Sequence, residues 1–249
     1  MIARTKAIPL ACYPYSSTSR IVHWLTQQYG KVSTLLKGAR RPKSPFLGEY
    51  ELFSTSELLY FTKRAEALHT AKECSMLHPR PIFRTDWRAM QSASYITALF
   101  NKTSPVEAPH PGYFERFEEL LDLAAEFGNR PHFLHWAELR FCDYHGHAPH
   151  LDSCVFCREE RHLRFSAASG GTICPQCARS KKLSFIECPS NVLDVLRTWQ
   201  KLERPHEAMA LNLSDKQTLI LDTMAAAFMR YHFDIPIEQR HRATQRYMP

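Results

Sequence analysis

The first 48 residues of this 249-residue chain contain no aspartate or glutamate; the first carboxylate side chain is Glu49. Glycine is also scarce, at 8 residues, which argues against glycine-rich phosphate loops as a main feature. No stretch approaches the roughly 18 consecutive apolar residues of a membrane span. The start lacks a charged segment leading into an apolar one, so no secretion signal is expected and a cytoplasmic location follows by default. In that compartment the eight cysteines are expected to be reduced thiols or metal ligands rather than disulfides.

What is present complements these absences. Net charge is +7, with 44% hydrophobic and 23% charged residues, ordinary values for a globular protein. Residues 1–80 hold 12 Lys and Arg against 5 Glu, while the remainder is balanced at 20 and 20, so all the excess lies in the first third. The segment YGKVSTLLKGARRPKSPF contains Lys31, Lys37, Arg40, Arg41 and Lys43 with no acid among them. Basic charge gathered on one module is the footprint of a polyanion partner. Solubility alone would not require acids to be excluded over so long a stretch.

The first 80 residues read as β-rich. TKAIPLACY, KVSTLLKG, YELFSTSELLYF and ALHTAKECSML mix β-branched, aromatic and alternating positions between turn residues. SRIVHWLTQQYG, between the first two, fits either a short helix or an extended connection. Such closely spaced strands suggest a small barrel or a sandwich. Thereafter the period becomes helical. Asp86 can cap a helix from Trp87 to about Phe100, and a second runs from Tyr113 to Phe127. Pro131 suits the first turn of a third helix ending at Gly146. SNVLDVLRTWQKL begins at a Ser cap, and Ser214 with Gln217 forms a capping box for the last long helix. The expected layout is a β module over 1–80 and a helical module over 81–249, with a metal-binding insert at about 147–188. The helix aromatics Phe114, Phe117, Trp136 and Trp199 are expected in the core.

That insert carries CVFC (Cys154, Cys157) and CPQC (Cys174, Cys177), with sixteen residues between the pairs. This is the spacing of a four-thiolate zinc site, with Gly170 and Gly171 suited to the turn that returns the second pair. A redox CxxC would follow a strand in a βαβ setting, and none is visible. Four thiolates close a tetrahedral shell, so one Zn2+ with a structural role is expected. A catalytic zinc would leave a position open, and His145, His147 and His150 in HGHAPH keep that alternative in view. Cys12, Cys74, Cys142 and Cys188 fall outside the pattern and are expected as inert thiols.

RIVHWLTQQYGKVSTLLKGARRPKS, with HGHAPHLDSCVFC and GGTICPQC, resembles the RecO family of bacterial DNA-repair proteins, over nearly the whole chain. Thr26, Gly30, Lys31, Lys37 to Arg41 and Ser44 fit the family's first motif; Gly146, Pro149, Leu151, Cys154 and Cys157 fit its second. The resemblance implies an OB-fold β-barrel, an all-α C-terminal domain and a zinc site, in an α+β multi-domain chain. It also implies a recombination mediator without nucleotide cofactor, which binds and anneals single strands and works with RecR. The partner process is RecA loading on strands coated by single-strand-binding protein. The chain departs from the family pattern at Ser17, where an acid often follows the aromatic, and in its ending EQRHRATQRYMP.

The expected protein is therefore a binding protein with no catalytic residues, located in the cytoplasm with the nucleoid. It would contact single-stranded and double-stranded DNA through Arg20, Lys31, Lys37, Arg40, Arg41 and Lys43. Tyr29 and Phe46 bracket the cationic run as candidate base-stacking platforms, or as core. Five phosphates neutralised on a single strand give a log–log salt slope of about −3.5. Two alternatives from other classes are a zinc-ribbon nucleic-acid adaptor and a zinc-dependent nucleic-acid-modifying enzyme. The enzyme would need an H-x-E signature ahead of a CxxC, which is missing. A phosphate loop on GARRPKS fails because Pro42 precedes the lysine.

Overall fold

The structure is a computed structural model, which describes residues 1–64 and 67–244. The last five residues of the unusual ending lie outside the described residues. Packing divides the chain into two compact units, residues 1–126 and 127–249. The division expected at residue 80 follows the change from strand to helix, whereas packing closes the first unit at Glu126.

In the first unit, strands β1 (Ile2–Pro14), β2 (Arg20–Thr26), β3 (Gly30–Leu36), β4 (Thr55–Phe61) and β5 (His69–His78) form a closed barrel. Its order is β1-β2-β3-β5-β4, with β3 and β5 parallel and the other pairs antiparallel, which is the OB arrangement. The ambiguous SRIVHWLT segment is strand β2. Its Val22 and Trp24 point inward with Val32, Thr34 and Leu36 of β3, the alternation of a strand buried on one face. Trp24 Nε1 donates to Thr34 Oγ1 at 2.8 Å inside the barrel, so the indole is buried without an orphaned donor.

A short helix α1 (Ile82–Thr85) leads to α2 (Trp87–Thr103) and α3 (Tyr113–Phe127). Asp86 caps α2 as expected, accepting from the backbone N–H groups of Arg88 and Ala89. Phe100 stacks on Phe117 at 4.6 Å, closing the α2–α3 interface. Buried Arg80 fixes this helix pair to the barrel, donating to Asp122 at 2.7 Å and to the Phe53 carbonyl at 2.6 Å.

The second unit contains α4 (Phe133–Tyr144), the hairpin β6 (Arg164–Ser166) and β7 (Gly171–Ile173), and α5 (Pro175–Ser180). It continues with α6 (Ser190–Lys201), α7 (His206–Met209), α8 (Asp215–Phe233) and α9 (Ile237–Thr244). Helix α4 starts later than Pro131 because His132 is left-handed, φ 65°. Ser190 is the first helical residue of α6 rather than its cap. The capping box at Ser214 and Gln217 is present as expected. Trp136, Trp199, Phe228 and Met229 fill the core. Arg240 of α9, 1% exposed, donates two hydrogen bonds to the Glu138 carboxylate of α4 and reaches both the carboxylate and the backbone carbonyl of Asp222 of α8. Among the described residues no helix is long and apolar enough to cross a membrane.

Candidate nucleic-acid interface and metal centre

The basic segment does not form one uniform surface. Lys31 lies on the outer face of β3, but its Nζ donates to the Asn101 carbonyl at 2.7 Å, and burial lowers its pKa. Chain segment 104–114 covers this end of β2 and β3, and its approach is close. Gly30, at φ 67°, would place any Cβ 2.7 Å from the Ala108 carbonyl oxygen. Lys31 is therefore a tie between barrel and helices, a role invisible in the local sequence.

The other end of the same face is open. The chain leaves β3 into a cationic turn in which Lys37, Arg40, Arg41 and Lys43 are exposed while Ala39 is buried as an anchor. Three hydrogen bonds shape it: Gly38 N–H donates to Ser19 Oγ, Arg40 N–H to the Thr18 carbonyl, and Arg41 N–H to the Gly38 carbonyl. Among the described residues none of these four side chains has a carboxylate partner. Arg20, half-buried at the start of β2, pairs its backbone with Pro14 and Leu36 beneath the turn.

Of the two bracketing aromatics, Phe46 takes the core alternative. At 4% exposed it belongs to the barrel core with Leu58 and Tyr60, so a base has no access to its ring. Tyr29 is 39% exposed, with its ring edge-on to Tyr60 at 6.1 Å. Tyr13 and Tyr15, which are not among the expected contacts, are 47% and 58% exposed on the β1–β2 hairpin. That hairpin, held by Ser16 Oγ accepting from Thr18 and Ser19 N–H, bonds directly to the cationic turn through Thr18 and Ser19. Their signal in the sequence is CYPYSSTS, two tyrosines in a polar hairpin tip with no core to enter.

The cysteines converge. The sulfurs of Cys154, Cys157, Cys174 and Cys177 all lie within 4.8 Å of one another, with Cys157 and Cys174 at 3.6 Å. Tetrahedral zinc thiolates set sulfurs about 3.8 Å apart, so the set fits a four-coordinate ion. Cys174 is the N-cap of α5, its sulfur accepting from Cys177 N–H. The β6–β7 hairpin brings this helix to the first pair, and the His150 backbone adds along β7. Thr172 N–H donates to the His150 carbonyl at 2.8 Å, and His150 N–H donates to the Gly170 carbonyl at 2.9 Å. A Cβ at Gly171 would meet the His150 carbonyl oxygen at 2.1 Å, so only glycine fits there.

The thiols at the centre differ in acidity. Burial pushes Cys154 up, but backbone N–H groups of Cys174, Cys157 and Phe156 outweigh it and bring the thiol to about 6. Burial and the three neighbouring sulfurs push Cys177 up to about 12. A cation held among the four sulfurs would favour the thiolate form by direct charge attraction. The upstream histidines stand apart from the sulfurs. His145 and His147 pack on Phe233, and His150 Nε2 meets Ser153 Oγ at 3.0 Å. Of the remaining thiols, Cys74, Cys142 and Cys188 are buried, which raises their pKa values.

Residues 1–80 match the family described as "Recombination protein O N terminal", and residues 84–241 match "Recombination protein O C terminal". Curated relatives named "DNA repair protein RecO" are similar over most of the chain. That of Alkaliphilus metalliredigens is 31% identical, covering 71% of this chain and 72% of its own length. The Syntrophus aciditrophicus protein is 29% identical over 70% of this chain and 69% of its own. The Moorella thermoacetica protein is 22% identical over 95% and 88%.

Proposed function

This chain belongs to the RecO family of DNA repair and recombination proteins, and on that premise we propose that it binds DNA strands on its barrel and anneals them. The observation that carries the reading is the open end of the β2–β3 face, where Lys37, Arg40, Arg41 and Lys43 stand exposed beside Tyr13 and Tyr15. OB barrels bind single strands on this face and its adjoining loops, with cations on phosphates and aromatics under bases. Phosphate contacts carry no sequence information, so binding is sequence-tolerant and extends to double-stranded DNA. Annealing follows because two strands sharing one cationic surface repel each other less.

In this reading no side chain performs bond chemistry. The ion at Cys154, Cys157, Cys174 and Cys177 is Zn2+, which folds the hairpin and leaves no open position for substrate. The protein acts in the cytoplasm at the nucleoid, with RecR, to help RecA onto strands coated by single-strand-binding protein; these partners follow from the family premise alone. The test is binding of a short single strand, of about 10 nucleotides, by the intact protein, by Lys37/Arg40/Arg41→Ala, and by Cys154→Ser. The first variant should lose affinity by an order of magnitude or more. The second should lose metal and stability while keeping the barrel's affinity; a folded Cys154→Ser protein that alone lost binding would favour the zinc-ribbon adaptor.

A further inference from the structure

The hairpin and helix that hold the four cysteines carry more basic charge than their metal requires. Six cations lie between Cys154 and Cys188. Two are matched: Arg161 lies 3.6 Å from Glu159 and Arg164 lies 3.0 Å from Glu187. Asp152 is matched by Arg197 of α6, also at 3.6 Å. Arg158, Arg179, Lys181 and Lys182 are exposed, and among the described residues none has a carboxylate partner. A divalent ion with four thiolates carries −2 and Glu160 one charge more, so these four cations over-compensate what faces them.

Backbone and aromatic placement point the same way. Arg158, His162 and Lys182 all have positive φ, at 66°, 54° and 52°. Glycine or asparagine adopts this conformation at less cost, yet each position carries a basic side chain directed to solvent. Arg158, His162 and Arg179 line one open concavity beside Cys157. Phe156, between the first two ligands, is 46% exposed, and Lys181 Nζ sits 4.8 Å from its ring centroid. Phe185 repeats the pairing, 41% exposed with the Arg164 guanidinium 4.4 Å from its ring centroid. An exposed ring among cations without carboxylate partners, as at Phe156, is the element of a single-strand surface; at Phe185 the cation is already held by Glu187.

We propose that this metal knuckle is a second contact for single-stranded nucleic acid, with Arg158, Arg179, Lys181 and Lys182 on phosphates and Phe156 under a base. The proposal rests on the reading of the barrel as a strand-binding module. It makes a long strand bind through two places on the chain and a short one through the barrel alone.

The test uses the full metal-loaded protein and two oligonucleotides, one of about 10 nucleotides and one well beyond the roughly 16 that one barrel takes. The variant is Phe156→Leu/Arg158→Gly/Arg179→Ala/Lys182→Gly, whose glycines suit positive φ. It should keep one metal per chain, bind the short strand as before, and bind the long strand about tenfold more weakly. Three fewer cations should lower the long-strand salt slope by about 2 in magnitude. Should this variant shed its metal, Arg179→Gln/Lys182→Asn leaves the first cysteine pair untouched and must show the same long-strand loss, with a slope change of about 1.4. Unchanged long-strand affinity in a metal-loaded variant would overturn the proposal and leave the cations as counter-charge. So would an equal loss on the short strand. The barrel reading is judged separately, by short-strand binding of Lys37/Arg40/Arg41→Ala.

Discussion

Phe46 and Tyr15 show how burial separates two aromatic side chains that composition treats alike. Phe46 fills the barrel, so Phe46→Ala should cost about 3–5 kcal/mol of stability, read by denaturant unfolding. Tyr15 is exposed, so Tyr15→Ala should leave stability within about 0.5 kcal/mol. It should weaken single-strand binding by about 1–3 kcal/mol, the usual worth of one base stack. Asp222 gives a residue-level pH prediction. Burial raises its carboxyl, but His135 at 2.9 Å and Arg240 at 3.0 Å outweigh that and hold it at about 2, against 3.8 for the free group. A depressed acid stabilises the fold above its unfolded value and loses that contribution as pH falls towards the folded one. The Arg240–Asp222–His135 cluster should therefore contribute on the order of 2 kcal/mol near neutral pH, lost between about pH 4 and 2. Asp222→Asn should flatten that limb of the stability–pH curve.

At the scale of elements, the cationic turn and the metal hairpin were legible because their signals are local. Lys37 to Lys43 are adjacent in sequence, and the CxxC spacing encodes its own geometry. The capped helices were equally plain, since Asp86 and Ser214 act within one turn. Three features were not legible for the converse reason. Lys31 reads as one more cation until the helix pair places the Asn101 carbonyl over it. Phe46 reads equally as platform or core until the barrel closes around it. SRIVHWLT holds Ile21, Val22, Trp24 and Leu25 in a pattern that fits helix or strand, and only pairing on both sides makes it β2. With Lys31 withdrawn, four turn cations remain for phosphate, and the single-strand salt slope of the barrel contact should be about −2.8 rather than −3.5. The metal hairpin supplies its own test. Removing the ion with a chelator should melt β6–β7 and α5 and lower the stability of the second unit, seen as lost hydrogen-exchange protection over 154–182. Protection in β1–β5 should persist.

Across the whole molecule, the charge distribution and the fold tell one story. The net charge of +7 lies in residues 1–80, which build the barrel, and its unpaired part gathers on one turn beside exposed tyrosines. The absence of acids before Glu49 keeps that face free of repulsion toward phosphate. The most direct measurement is the affinity of Lys37/Arg40/Arg41→Ala for a short single strand at fixed, moderate salt, beside the unaltered protein. The account predicts a loss of tenfold or more, with the salt slope reduced by about 2 in magnitude and thermal stability unchanged. Equal affinity and an equal slope in a folded variant would contradict it.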